Sequence, residues 1–164
     1  MNILFVCTGN LCRSPTAELL FQKMLAEAGH SNVSIGSRGV AAPEGQPMPD
    51  GARQALEKAG CAAIAHRSKQ VQADDVERAD LIFVMEEAQL KRLQTLFPDC
   101  AAKAFLLKEY AESQGDSDIA DPMGGSPEDY EESRIEIQHA LVDLLIKLAK
   151  DPALSSTLNQ KELP

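Results

Sequence analysis

The stretch Ile3-Leu4-Phe5-Val6-Cys7-Thr8-Gly9-Asn10-Leu11-Cys12-Arg13-Ser14-Pro15 changes character twice. Ile3 to Val6 is a continuous apolar run ending in Cys7, the pattern of a buried strand in a parallel sheet. Thr8, Gly9 and Asn10 then signal a loop. Ser14-Pro15 supplies a capping residue followed by proline at the first helical position. Beyond it, Ala17, Leu20, Phe21, Met24, Leu25 and Ala28 recur at three-and-four spacing, one apolar stripe of a helix that Gly29 can terminate. The chain opens strand, loop, helix.

The alternation continues downstream. Val33 to Ser37 reads as a second strand, and Ala41 to Asp50, with three prolines, as a loop. Asp50 is placed to cap a short helix carrying Ala52, Leu56 and Ala59 before Gly60. Leu81 to Met85 is a further buried strand. Glu86-Glu87 open a helix with Leu90, Leu93 and Phe97 on one side, ended near Pro98. Lys103 to Leu107 makes a fourth strand, and Lys108 to Ser126 a long polar loop. The last helix runs from Pro127 to about Lys150, striped by Tyr130, Ile137, Leu141, Leu144, Leu145 and Leu148. Strands alternating with helices predict an α/β fold: a four-stranded parallel sheet flanked by helices on both faces, with an anion-binding loop after the first strand. Ligands of such sheets sit beyond the carboxyl ends of the strands, where Cys7 and the Lys108–Ser126 loop both fall.

Length and composition set the outer limits. At 164 residues the chain predicts one domain over residues 1–150, with 151–164 a tail that has little to bury. Sixteen basic against 25 acidic residues give a formal net charge of −9, which disfavours nucleic acid and anionic membranes as partners. No apolar run approaches the roughly 18 residues of a membrane span, and Met1 to Cys7 is too short for a signal peptide. Four cysteines are too sparse for a disulfide scaffold. The expectation is a soluble, cytoplasmic protein. Its global charge would repel an anion, so an anion site here must work through local donors.

Cys7 and Arg13 stand six positions apart across a tight loop entering a helix N-terminus. Successive N–H groups of Thr8, Gly9, Asn10, Leu11, Cys12, Arg13 and Ser14 can form an anion nest, reinforced by the helix dipole. Arg13 offers a planar fork for two phosphoryl oxygens at once. The same donors stabilise a thiolate at Cys7, the nucleophilic form, and Ser14 could donate its hydroxyl to that sulfur. A group bound to cysteine must then be released, which needs a proton donor and a base. His30, His66 and His139 read as ordinary surface or packing residues. Asp121, followed by Pro122 and the pair Gly124-Gly125, is the better candidate, with Asp116 and Asp118 as weaker rivals in the same loop. No second cysteine pair or histidine cluster supports a metal, and Arg13 with backbone donors supplies the positive charge a metal would bring, so no metal or other cofactor is expected. Cys61 and Cys100 read as core or inert thiols.

Val6-Cys7-Thr8-Gly9-Asn10-Leu11-Cys12-Arg13-Ser14-Pro15 resembles the signature of the low-molecular-weight protein tyrosine phosphatase family. The likeness continues in Ser37-Arg38-Gly39, Ala79-Asp80-Leu81-Ile82-Phe83-Val84-Met85, Leu107-Lys108-Glu109-Tyr110 and Asp121-Pro122. It implies a four-stranded parallel sheet, Cys7 as nucleophile, Arg13 as phosphate clamp and Asp121 as general acid and base. It implies also that Asn10 and Ser14 hold the loop, and that Cys12 can trap an oxidised Cys7 as a reversible disulfide. The partners implied are a phosphorylated protein and inorganic phosphate or a similar oxyanion.

The chain departs from tyrosine-specific members at two places. Met123-Gly124-Gly125-Ser126 follows Asp121-Pro122 where they carry an aromatic pair, and no aromatic lies between Ala41 and Asp50. That stretch resembles the protein-arginine phosphatase branch, which has Asp-Pro-Phe-Gly-Gly-Ser. That branch, however, has threonine where this chain has Leu11, and a bulky apolar residue beside the nucleophile suits a flat apolar leaving group better than a guanidine. The reading is phosphotyrosine hydrolysis through a cysteinyl-phosphate, with phosphoarginine hydrolysis as the alternative. Thiol-linked arsenate reduction is disfavoured because Leu81 to Leu96 contains no cysteine. A phosphocysteine carrier is disfavoured by Arg13 and Asp121, and a pure phosphopeptide binder has no use for a thiol in its nest. Arg38, often alanine in the family, could reach the site or solvent.

Overall fold

Four parallel strands form one sheet in the order β2-β1-β3-β4. They are β1 (Asn2–Cys7), β2 (Ser34–Gly39), β3 (Leu81–Val84) and β4 (Ala104–Leu106). The computed structural model describes residues 1–30, 32–62 and 65–151. Between the strands run α1 (Arg13–Glu27), α2 (Asp50–Lys58), α3 (Ala73–Arg78) and α4 (Glu87–Leu96), and α5 (Leu107–Ala111) and α6 (Pro127–Lys150) complete the chain. The α/β class, the four parallel strands and the helices on both faces agree with the sequence reading.

The alternation along β1 divides the core between the two faces, because successive side chains of a strand point oppositely. Ile3, Phe5 and Cys7 join Phe21 and Leu25 of α1 and Ile137, Leu141 and Leu144 of α6 on one face. Leu4 and Val6 join Val76 of α3, Ile82 and Val84 of β3, and Leu93 of α4 on the other. Phe5 is wholly buried, edge-on to Phe21 at 5.9 Å between ring centroids and tilted against Phe83 at the same distance. β1 is thus a central strand covered on both sides, which accounts for its unbroken apolar run.

Several boundaries differ from the sequence reading. Helix α1 begins at Arg13 with Cys12 in the capping position, so Ser14 lies inside the helix rather than at its cap. Its hydroxyl is engaged by tertiary partners and is not available to a backbone N–H of the first turn. Helix α2 starts at Asp50 itself, after Pro49, and the Asp50 carboxylate pairs with Arg53 at 2.6 Å. The fourth strand is shorter than expected, because Leu107 turns into α5, which occupies the first turn of the segment read as a loop. Residues 152–164, nearly all of the expected tail, lie outside the described residues.

Helix α6 matches the expected span. Ser126 accepts from the Asp129 N–H while the Asp129 carboxylate accepts from the Ser126 N–H, a reciprocal cap followed by Pro127 in the first turn.

Candidate active site

Cys7 ends β1 with its side chain buried, and the chain then wraps around its sulfur. The Asn10 N–H points at Sγ from 3.2 Å, and Ser14 Oγ lies 3.0 Å away. Asn10 sits at φ +52°, the left-handed region that asparagine tolerates better than most residues. Its side-chain amide is fully used. Nδ2 donates to Ser14 Oγ (3.0 Å) and Ser37 Oγ (2.9 Å), and Oδ1 accepts from the Lys69 N–H (2.9 Å). His66 Nε2 contacts the Asn10 carbonyl at 2.8 Å. The tight loop is therefore held from three segments of the chain.

The end of β2 and the residues just after it brace the loop through their backbone. Val40 N–H donates to the Cys7 carbonyl and Ala41 N–H to that of Thr8, each at 2.9 Å. A Cβ on Gly39 would lie 2.5 Å from the Thr8 carbonyl oxygen and 2.9 Å from the Asn10 nitrogen, so this approach requires glycine. Leu11 is half-buried and lies over the loop, its Cδ1 3.6 Å from where a Gly9 side chain would begin.

Arg13 is only 2% exposed, and its charge is compensated by two carboxylates. Nη1 donates to Glu86 Oε2 (3.1 Å) and to the Ile119 carbonyl (2.9 Å), and Nη2 lies 3.0 Å from Asp121 Oδ2. Asp121 is 47% exposed and reaches Arg13 from the loop before α6. Its other oxygen accepts from the Met123 N–H, and a turn from Pro122 to Gly125 follows, with Gly124 at φ +77°. Gly124 N–H donates to Tyr130 Oη at 3.3 Å, tying the turn to α6.

The structure brings Cys7, the Thr8–Ser14 loop, Arg13 and Asp121 to one place at the carboxyl ends of β1 and β3. Of the rival acids, Asp118 accepts from the Glu87 N–H at the start of α4, and Asp116 is exposed. The Arg38 side chain does not enter the site: Nε and Nη2 grip Asp75 at 3.0 and 2.9 Å, and it stays partly exposed. Cys12 is buried beside the site, and its thiol is pushed up to about 12 by burial first, then by the charges of Asp121 and Cys7, with Arg13 opposing. Among the described residues no group of three or more His, Cys, Asp or Glu could hold a metal ion. No helix among them is long and apolar enough to cross a membrane.

Sequence reasoning missed Glu86, Gln89, His66 and Lys69 as parts of the site. Ser37 was visible only as part of the Ser37-Arg38-Gly39 motif.

A buried thiol and a buried guanidinium on one anion-binding loop, with a carboxylate arriving from a separate segment, define the class of cysteine-based phosphatases. The family model described as low molecular weight phosphotyrosine protein phosphatase matches residues 2–154, and the chain belongs to that family. A protein-arginine-phosphatase of Bacillus subtilis is 39% identical over 152 residues, covering 92% of this chain and 99% of the relative. A low molecular weight phosphotyrosine protein phosphatase of Gallus gallus is 36% identical, covering 79% and 84%. Among solved structures, the YwlE arginine phosphatase, in a cysteine-to-serine mutant with a phosphorylated active-site serine, matches with TM-score 0.86 and 38% identity, covering 94% and 99%. The low molecular weight protein tyrosine phosphatase from T. tengcongensis matches with TM-score 0.85 and 36% identity, covering 90% and 99%.

Proposed function

We propose that this enzyme hydrolyses phosphotyrosine in proteins through a cysteinyl-phosphate intermediate. The observation that carries the reading is the convergence on Cys7 Sγ of the Asn10 N–H and the Ser14 hydroxyl, beside Arg13 held ready by Asp121. The Cys7 thiolate attacks phosphorus, forming an S–P bond as the P–O bond to the phenol breaks. Asp121 gives its proton to the departing oxygen. The Thr8–Ser14 donors and the Arg13 fork stabilise the charge on the equatorial oxygens. In the second step water attacks phosphorus, Asp121 takes its proton, and the S–P electron pair returns to sulfur, which the Ser14 hydroxyl stabilises.

Leu11 supports the phosphotyrosine preference, since it presents apolar surface over the loop where a phenyl ring can lie and a guanidine would lose hydrogen bonds. The phosphorylated serine of the related YwlE mutant favours a covalent route. Phosphoarginine is the second reading. It is favoured by the Gly124-Gly125 turn beside Asp121 and by the 39% identity to a protein named protein-arginine-phosphatase. The four cysteines are all unbridged, in keeping with work in the reducing cytoplasm.

The experiment is phosphate release from a phosphotyrosine peptide and a phosphoarginine peptide by wild type and Leu11→Thr, at neutral pH without added metal. A phosphotyrosine preference that shifts toward phosphoarginine in the variant supports the proposal. A phosphoarginine preference in the wild type makes the second reading correct, and no release from either argues for a carrier.

A further inference from the structure

Gln89 lies in the first turn of α4 and is 1% exposed, a polar side chain in a buried setting. Its Oε1 accepts from the Met85 N–H at 2.9 Å. Its Nε2 donates to Thr8 Oγ1 at 3.1 Å and to Glu86 Oε1 at 3.0 Å. Both amide hydrogens are spent, and the three partners come from the end of β3, from the loop after Cys7, and from the carboxylate that grips Arg13. Leu93 is the helix's other buried residue, so this amide is not its sole anchor.

The chain of contacts runs in one direction. Gln89 fixes one oxygen of Glu86, and the other oxygen of Glu86 fixes Arg13 Nη1. The Ile119 carbonyl shares that nitrogen, so one edge of the guanidinium is held by protein. Nη2, by contrast, meets Asp121. When an anion takes the place of Asp121 on Nη2, Glu86 and Ile119 are what still orient the fork. Glu86 is 28% exposed and, without Gln89, its carboxylate is free to rotate toward water. The bond to Thr8 ties the same amide to the residue next to the nucleophile, so one side chain sets the spacing between the clamp and the loop.

We propose that Gln89 is a positioning residue for Arg13, acting through Glu86 on the clamp and through Thr8 on the loop. This rests on the reading that the loop takes a phosphoryl group, but its test needs no turnover.

The measurement is binding of inorganic phosphate to the full chain by titration calorimetry, for wild type, Gln89→Met, Glu86→Gln and the double variant. Gln89→Met keeps length and apolar bulk and removes every hydrogen bond of the amide. The expected result is phosphate binding weakened roughly three- to tenfold by Gln89→Met, and by a clearly smaller factor, the part carried through Thr8, when the same change is made in the Glu86→Gln background. Unchanged binding in a folded Gln89→Met, or an equal loss in both backgrounds, overturns the proposal. If Gln89→Met melts below the assay temperature, Thr8→Val at its exposed position carries the test. Weaker phosphate binding at an unchanged melting temperature then supports the coupling, and wild-type binding overturns it. A wild type that binds phosphate but releases none from any phosphopeptide sinks the hydrolase reading and leaves the positioning role standing. A wild type that binds no phosphate removes both.

Discussion

Ser14 Oγ stands 3.0 Å from the sulfur of Cys7, and the same oxygen lies 3.0 Å from Asn10 Nδ2 and 3.1 Å from the Arg38 carbonyl. The Asn10 amide donates, so it occupies a lone pair. That leaves one hydroxyl hydrogen for two acceptors. While Cys7 is a thiol, its S–H can serve Ser14 and the hydroxyl can serve the Arg38 carbonyl. Once Cys7 is a thiolate, the hydroxyl turns to sulfur. In the proposed mechanism a single rotor thereby stabilises the anion both before attack and on its return as leaving group.

Replacing Cys7 with serine keeps the oxyanion donors and exchanges the thiol for a hydroxyl, a far weaker nucleophile and a far poorer leaving group. Cys7→Ser is expected to abolish turnover while leaving calorimetric phosphate affinity largely intact. Phosphate accumulating on position 7, seen by intact-mass spectrometry, would fit the covalent route, whereas full turnover would remove Cys7 from its role.

Asp121→Asn keeps the shape at the Arg13 contact and loses the transferable proton. The expected loss in kcat is about 10²- to 10⁴-fold for a phosphotyrosine peptide and much smaller for an aryl phosphate with an activated leaving group. Equal losses on both substrates would mean that Asp121 is not the acid.

Gly39→Ala sets a methyl group against two backbone atoms of the phosphate loop, at 2.5 and 2.9 Å, where no side chain can yield. A destabilisation of about 1–3 kcal/mol is expected by chemical denaturation, with a fall in kcat/KM at temperatures where the variant is still folded. Wild-type activity in a folded variant would show that the loop need not hold this position.

Burial holds the Cys12 thiol protonated in the folded protein up to about 12, against an ordinary value of 9.0. Between those values the unfolded chain has lost a proton that the folded chain keeps, so stability falls as pH rises and is fully present below 9. Cys61 and Cys100 are also pushed up by burial and act in the same direction. Denaturation curves for Cys12→Ser between pH 9 and 11 are expected to show a shallower decline than wild type, and an identical slope would count against the shift.

The sequence disclosed what is local. The apolar run of β1, the loop glycine and the stripe of α1 lie in one stretch, so Cys7 and Arg13 were legible together, and Asp121 stood out by its proline and glycines. Ser14 was misread as a cap because its tertiary partners outcompete the helix end. The short helix α3 buries only Val76, too little to register as a period, and α5 lay within a segment taken for a loop. Gln89 and Glu86 were invisible because their partners Thr8 and Arg13 follow a different strand, and only the adjacency of β1 and β3 joins them. Arg38 was left undecided because nothing in its own neighbourhood names Asp75 as its partner.

The carboxylate of Asp121 rests on Arg13, and with Arg13 as the proposed phosphate clamp it is also a tethered competitor for it. An intramolecular occupant acts at an effective concentration of about millimolar or more when its linker is short and preset, and this one is preset by the Pro122–Gly125 turn and its bond to Tyr130. Free phosphate must outbid that occupant to stay. On the proposed reading, the same residue lets a departing product be replaced from within, a partial defence, carried in the enzyme's own loop, against inhibition by what it releases.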